Sequence, residues 1–311
     1  MDIMRLLARI ALVMPAVAAL SAPGAASAAI PQPLLTVVAL GDSYASGVGA
    51  GNYQAGTVGN CYRSANSYSQ DLVASLKAAH ESVSYTDVAC SGATITSLSQ
   101  EFDGFAPQLD ALTPTTRVVT LTIGTSDIDL FDYGAECIQG DCSGPDTQAI
   151  LAKLPQLSSD MGSLFSEIHS RSPNAEVVVT GYGSQLTSGP NAAGATLDPI
   201  CDPSVFSAEE RIQGNEVDFQ LDSTLRGAVQ QAAQSGISAV YVSPFLASSD
   251  ISPEFAGHSL CESGESFYHG FDELAPGADG QVALLHLTQN GEAALAGLIR
   301  SQVPALSAPA S

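Results

Sequence analysis

The sequence predicts an α/β fold, a parallel sheet with helices on both faces. Five short runs are apolar and rich in β-branched residues, and amphipathic helical patterns lie between them. The first run, Leu35 to Leu40, stops at Gly41-Asp42, as a strand buried on both faces should. Val83 to Ala89, Val118 to Ile123, Glu176 to Thr180 and Ala239 to Val242 repeat the pattern. Ser67 to His80 reads as a helix, with Ser67 and Gln70 placed as a capping box and Leu72, Val73 and Leu76 on its apolar face. Ile150 to Arg171 is helical and interrupted by Pro155 near its start. Ser207 and Glu210 form a second box ahead of a long polar helix ending near Gly236. Thr288 caps a final helix carrying Ala293, Leu295, Leu298 and Ile299. Alternating strands and helices imply right-handed crossovers, and in such sheets ligands bind beyond the carboxyl ends of the strands.

Ahead of this pattern stand Arg5 and Arg9, an apolar stretch from Ile10 to Leu20, and Ala26-Ser27-Ala28. That is a secretory signal peptide, residues 1 to 28, cleaved near Ala28 and too short to span a bilayer. Residues 29 to 311 are read as one domain without internal repeats, and only Pro304 to Ser311 is low in complexity. A formal charge of −22 with scattered cations excludes binding to nucleic-acid backbones and disfavours anionic membranes. An acidic surface accounts for solubility. Six cysteines in an exported chain imply three disulfides, and the lack of a CxxC pair or a Cys/His cluster argues against zinc. The pairing stays open, with Cys137 and Cys142 the easiest local closure.

Chemistry is expected where the strands end. Gly41-Asp42-Ser43-Tyr44-Ala45-Ser46-Gly47 puts a hydroxyl on a tight turn, and a following helix would aim N–H groups at an anion formed there. Cys90-Ser91-Gly92-Ala93-Thr94 follows the second run, and Gly92 lets a backbone N–H approach a substrate closely. Gly124-Thr125-Ser126-Asp127 follows the third, and Leu285-His286-Leu287-Thr288 puts an imidazole before the last helix. Together these supply a nucleophile, oxyanion donors and a base, the set acyl transfer needs. Asp42 and Asp127 are read as turn residues that bond backbone N–H groups. His258 is the rival base, better placed to pack or to line a cleft, while His80 and His169 suit helix ends and His269 carries no signal.

Through GDSYASG (41 to 47), CYRS (61 to 64), ACSGAT (89 to 94), GTSD (124 to 127), GHSLC (257 to 261) and HLTQNG (286 to 291), the chain resembles the SGNH hydrolases. These are also called GDSL esterases and lipases, and the likeness is to their secreted actinobacterial branch. The resemblance implies a three-layer α/β/α sandwich, flavodoxin-like, around a parallel sheet of about five strands. It implies hydrolysis of carboxylic esters with Ser43 as nucleophile, His286 as base, and an oxyanion hole from the N–H groups of Ser43 and Gly92. It also implies the pairs Cys61–Cys90, Cys137–Cys142 and Cys201–Cys261, and neither metal nor organic cofactor. A small-molecule or lipid ester is the expected partner, and the chain is expected to be a monomer.

Two positions depart from the family pattern. Ser126 stands where an Asn usually provides the third oxyanion donor, and loss of such a donor costs about 10²–10³ in turnover unless the hydroxyl or a water replaces it. Thr125 replaces a frequent Gly, which shifts the loop or adds a hydroxyl. The carboxylate usual three residues before the base is Ala283, whose main-chain carbonyl is expected to orient the ring in a Ser-His dyad, with Asp279 as the competing acid. Rival functions are a fold that binds esters or glycans without turnover, and a polysaccharide deacetylase or phospholipase.

Overall fold

The structure is a computed structural model that describes residues 34–79, 82–247, 249–303 and 306. The expected leader with its cleavage site near Ala28, His80, and nearly all of the 304–311 tail lie outside these residues. Five strands, β1 (Leu35–Gly41), β2 (Val83–Asp87), β3 (Val118–Thr122), β4 (Glu176–Thr180) and β5 (Ala239–Val242), form one wholly parallel sheet in the order β2-β1-β3-β4-β5. Every residue of the central β3 is buried, which is why its run carries no polar alternation.

Helix α1 (Ser43–Ser46) is a single turn after β1, and α2 (Tyr68–Ala79) precedes β2. Between β3 and β4 lie α3 (Leu130–Gln139), α4 (Pro145–Leu151) and α5 (Leu154–Arg171). The 27-residue α6 (Ala208–Gln234) joins β4 to β5, and α7 (Gln289–Gln302) closes the fold. Helices α2 and α7 pack as one pair and α5 and α6 as another, flanking the sheet to give three layers. Among the described residues no helix is long and apolar enough to cross a membrane.

The strands lie where the hydrophobic runs put them, but two helix expectations change. The stretch from Ile150 is interrupted at Ala152-Lys153, ahead of Pro155, so it contributes to two helices. The box at Ser67 and Gln70 does not form, because the Ser67 hydroxyl pairs with Ser69 Oγ (3.0 Å). The N–H of Tyr68 is taken instead by the buried carboxylate of Glu292 in α7 (2.7 Å), 224 positions away in sequence. By contrast, the Ser207–Glu210 box is complete, and Thr288 Oγ1 accepts from Gly291 N (3.1 Å).

Disulfides join Cys61 to Cys90, Cys137 to Cys142 and Cys201 to Cys261. The first ties the loop after α1 to the exit of β2, and the third ties the segment before α6 to the long connection after β5.

Candidate active site

The turn that bears Ser43 is clamped from below. Gly41 has φ +130°, and a Cβ there would fall 2.0 Å from Thr122 O, so only glycine fits. The buried side chain of Gln108 donates to Gly41 O (2.9 Å) and accepts from Gly41 N (2.7 Å), acting as an added length of strand. Asp42 caps α1 by accepting from Tyr44 N (3.0 Å), and it accepts further from Thr125 Oγ1 (3.1 Å) and from the Tyr182 hydroxyl. Burial raises its carboxyl to about 7, against the pull of those three donors. Asp42 thus knits the exits of β1, β3 and β4 together, which exceeds the turn role expected of it. Thr125, expected to shift the loop or add a hydroxyl, has that hydroxyl turned to Asp42.

Asp127 also reaches beyond its own turn. Both carboxylate oxygens accept from Ile95 N (3.0 and 3.2 Å), binding the loop after β3 to the loop that carries Gly92. Burial raises it to about 6. Gly92 has φ +79°, a conformation L side chains rarely adopt. Neither its N–H nor that of Ser43 has an acceptor among the described residues. Ser126 is half-buried beside them, with its side chain on the same cavity.

His286 is buried, and its Nε2 lies 2.7 Å from Ser43 Oγ. Its Nδ1 lies 3.0 Å from the carbonyl of Leu284. Ala283, the expected orienting group, is therefore replaced by its neighbour. The Ala283 carbonyl accepts the backbone N–H of His286 instead (3.1 Å), and Leu285, at φ 62°, turns the chain so that the Leu284 carbonyl meets the ring. Asp279 is engaged elsewhere, by the hydroxyl of Tyr53. A carbonyl at Nδ1 places the proton there and leaves Nε2 to accept. Desolvation lowers the His286 pKa to about 4, outweighing the bond to Leu284.

Among the described residues, the other three histidines make their contacts away from Ser43. His258 bonds Glu265 O through Nδ1 (2.7 Å) and stacks on Phe267, and His169 occupies the last turn of α5. His269, Asp272 and Glu273 bring ligand-type atoms within 4.8 Å of one another. That ring already meets Gly49 O through Nε2 (2.9 Å) and Glu273 Oε1 through Nδ1 (2.9 Å), which makes it a brace between loops.

Tyr44, unremarked in the sequence, supports the His286 loop. Its ring lies 4.9 Å from the imidazole, and its hydroxyl donates to Leu285 O. One amide atom of Gln185 lies 3.3 Å from that hydroxyl, and the other lies 2.8 Å from Asp218 Oδ2. The amide nitrogen of Gln185, turned to Asp218, donates to Oδ2, and the amide oxygen then faces the Tyr44 hydroxyl. Burial raises the Asp218 carboxyl well above the usual carboxylate range. A chain of polar contacts thus runs from Asp218 through Gln185 and Tyr44 to the loop of His286.

These groups face a cavity of about 740 Å³. Helix α3 forms much of one wall with Leu130, Phe131 and Ile138, and Leu284 and Leu285 line it beside His286. Phe131 and Leu274 are exposed large hydrophobic residues on this lining.

Residues 39–294 match the family model of GDSL-like lipase/acylhydrolases. The chain belongs to that family. It is a carboxylic ester hydrolase of the SGNH superfamily, in its actinobacterial branch. A lipase of Streptomyces rimosus is 32% identical over 267 residues, 82% of this chain and 87% of that protein. Lipase 1 of Streptomyces coelicolor is 30% identical over 266 residues, 85% and 86% of the two chains. Among solved structures, an extracellular lipase from Streptomyces rimosus superimposes with a TM-score of 0.64 at 26% identity, covering 86% of this chain and 99% of the other. A phospholipase A1 from Streptomyces albidoflavus gives 0.62 at 25% identity, with 87% and 100% covered. The five-stranded parallel sheet is the one expected of GDSL-like hydrolases.

Proposed function

We propose that this GDSL-like hydrolase is an exported serine esterase acting on lipid-like carboxylic esters through a Ser43–His286 dyad. The observation that carries the proposal is the 2.7 Å contact between Ser43 Oγ and His286 Nε2, with Nδ1 held by Leu284 O. His286, uncharged at neutral pH, takes the Ser43 proton as Oγ attacks the ester carbonyl. The N–H groups of Ser43 and Gly92, with the hydroxyl of Ser126, receive the oxyanion. His286 returns the proton to the departing alcohol, leaving an acyl-enzyme on Ser43. Water repeats the sequence and restores the serine. The mainly apolar cavity favours an acyl chain, as do the lipase and phospholipase A1 names of the relatives. Export is supported by the signal pattern ahead of Ala28, by three disulfides, and by the extracellular Streptomyces lipase. The exported part is read as one domain from residue 29 onward.

The test is aryl-ester hydrolysis by the purified protein together with labelling by an organophosphonate. Turnover and a modified Ser43 peptide are expected, and both should vanish in Ser43→Ala. A protein that does neither is no serine esterase. Binding without turnover is the rival that Ser126 motivates, and Ser126→Asn separates the two.

A further inference from the structure

Arg211 is a charge that the reaction above does not use. It lies in the first turns of α6 on the cavity wall, with 6% of its surface exposed. Nη1 donates to Asn191 Oδ1 (2.7 Å), and Nε is buried with no partner. No carboxylate pairs with it among the described residues, although the chain holds 32 acidic side chains against 10 basic ones. Arg171 and Arg226, by contrast, each meet a carboxylate. Burial alone lowers the Arg211 pKa, with no acid raising it. A guanidinium taken from water and given one neutral acceptor is costly to keep unless an anion completes its fork of donors.

The acids nearest in sequence on that wall do not supply one. Glu210 turns its two oxygens to Ser207 N (2.8 Å) and Cys142 N (3.3 Å), and Asp218 accepts from the Gln185 amide (2.8 Å). Asp218 also fixes the position of Arg211 relative to the chemistry, since it connects through Gln185 and Tyr44 to the His286 loop. Arg211 lies seven residues earlier in α6, about 10 Å along the axis, and helical side chains lean further towards the N-terminus.

We propose that Arg211 receives an oxyanion, a phosphate or a carboxylate, carried on the ester substrate remote from its scissile carbonyl, and so selects esters with an anionic end. Planar guanidinium donors match both anions. The proposal names the substrate class of the site described above and rests on that esterase function.

Two matched pairs of esters test it. One pair is p-nitrophenyl octanoate and the mono-p-nitrophenyl ester of octanedioic acid, which differ by a terminal carboxylate. The other is 1-octanoylglycerol and its 3-phosphate. In at least one pair the anionic-to-neutral ratio of kcat/KM should fall tenfold or more in Arg211→Gln, with Arg211→Lys keeping the larger share. The pair that responds identifies the anion. Equal ratios in wild type and Arg211→Gln for both pairs would overturn the proposal. Calorimetry on Ser43→Ala protein gives a reading free of turnover. Octyl phosphate or octanoate should bind at least tenfold more tightly than octanol, and Arg211→Met should erase the difference. Absence of any preference in the Arg211-containing protein would overturn the proposal even if the Arg211 variants do not fold. Failure to hydrolyse either neutral ester refutes the esterase assignment, while the calorimetry still judges Arg211.

Discussion

Ser43 stands two residues beyond an interior strand of the sheet, whereas His286 stands near the end of a 46-residue connection between β5 and α7 whose described residues form short 3₁₀ turns and isolated bridges. The first is placed by ladder hydrogen bonds, a glycine without alternative and a carboxylate buried among three donors. The second is placed by point contacts: the Tyr44 hydroxyl on Leu285 O, the Leu284 carbonyl on Nδ1, and the backbone of His269 on that of His286 (2.9 Å). A nucleophile must not move, because a small displacement loses attack geometry; a base needs only its direction and its proton placed. The scaffold spends its rigidity accordingly.

The largest effect should come from removing either side outright. Ser43→Ala and His286→Ala should each lower kcat by about 10⁴–10⁶, and the double variant should cost little more, since the two act as a unit. Aryl-ester turnover measures this, and additive losses would break the pairing. Next, Ser126→Asn on the nucleophile side should raise kcat by about 10² if the hydroxyl is the weaker donor. An unchanged rate would mean that the oxyanion is already fully served. On the base side, Tyr44→Phe removes one support of the Leu285 carbonyl and should lower kcat about tenfold with little change in KM, the equivalent of about 1.4 kcal/mol. The smallest effect is on the pH profile. With His286 depressed to about 4, its protonation should lower kcat/KM as pH drops through 4, not through 6.5. The contribution of His286 to stability has the same sign: between these values the unfolded chain binds a proton at this ring that the folded one refuses, so that contribution rises with pH, while the raised carboxyls of Asp42 and Asp127 contribute in the opposite direction. A limb near 6.5 would mean that the imidazole is open to water.

The two regions were also unequally legible. All five strands lie on the runs read from the sequence, most plainly the interior β1, β3 and β4, because a parallel sheet buried on both faces leaves no other pattern there. Ser43, Gly92 and Ser126 follow from their places at strand exits. The partner of Nδ1 does not, because whether Ala283 or Leu284 faces the ring depends on the single left-handed residue Leu285, and leucine advertises no such conformation. The cap of α2 was missed for a related reason, since a local box at Ser67 was outcompeted by a carboxylate 224 residues distant. Tyr44 lay in plain sight beside Ser43, yet only the fold reveals that its hydroxyl reaches Leu285 O in the loop of His286. Arg211 gave no signal, since an unpaired cation is defined by what surrounds it.

The long-range cap also has a temporal consequence. His286 lies three residues before α7, and α7 docks on the sheet's flank with Glu292 gripping the first N–H of α2. Ser43 Oγ and His286 Nε2, 243 positions apart in sequence, therefore meet only when α7 seats against α2. A chain in which that helix is not yet docked holds Ser43 away from its proposed base.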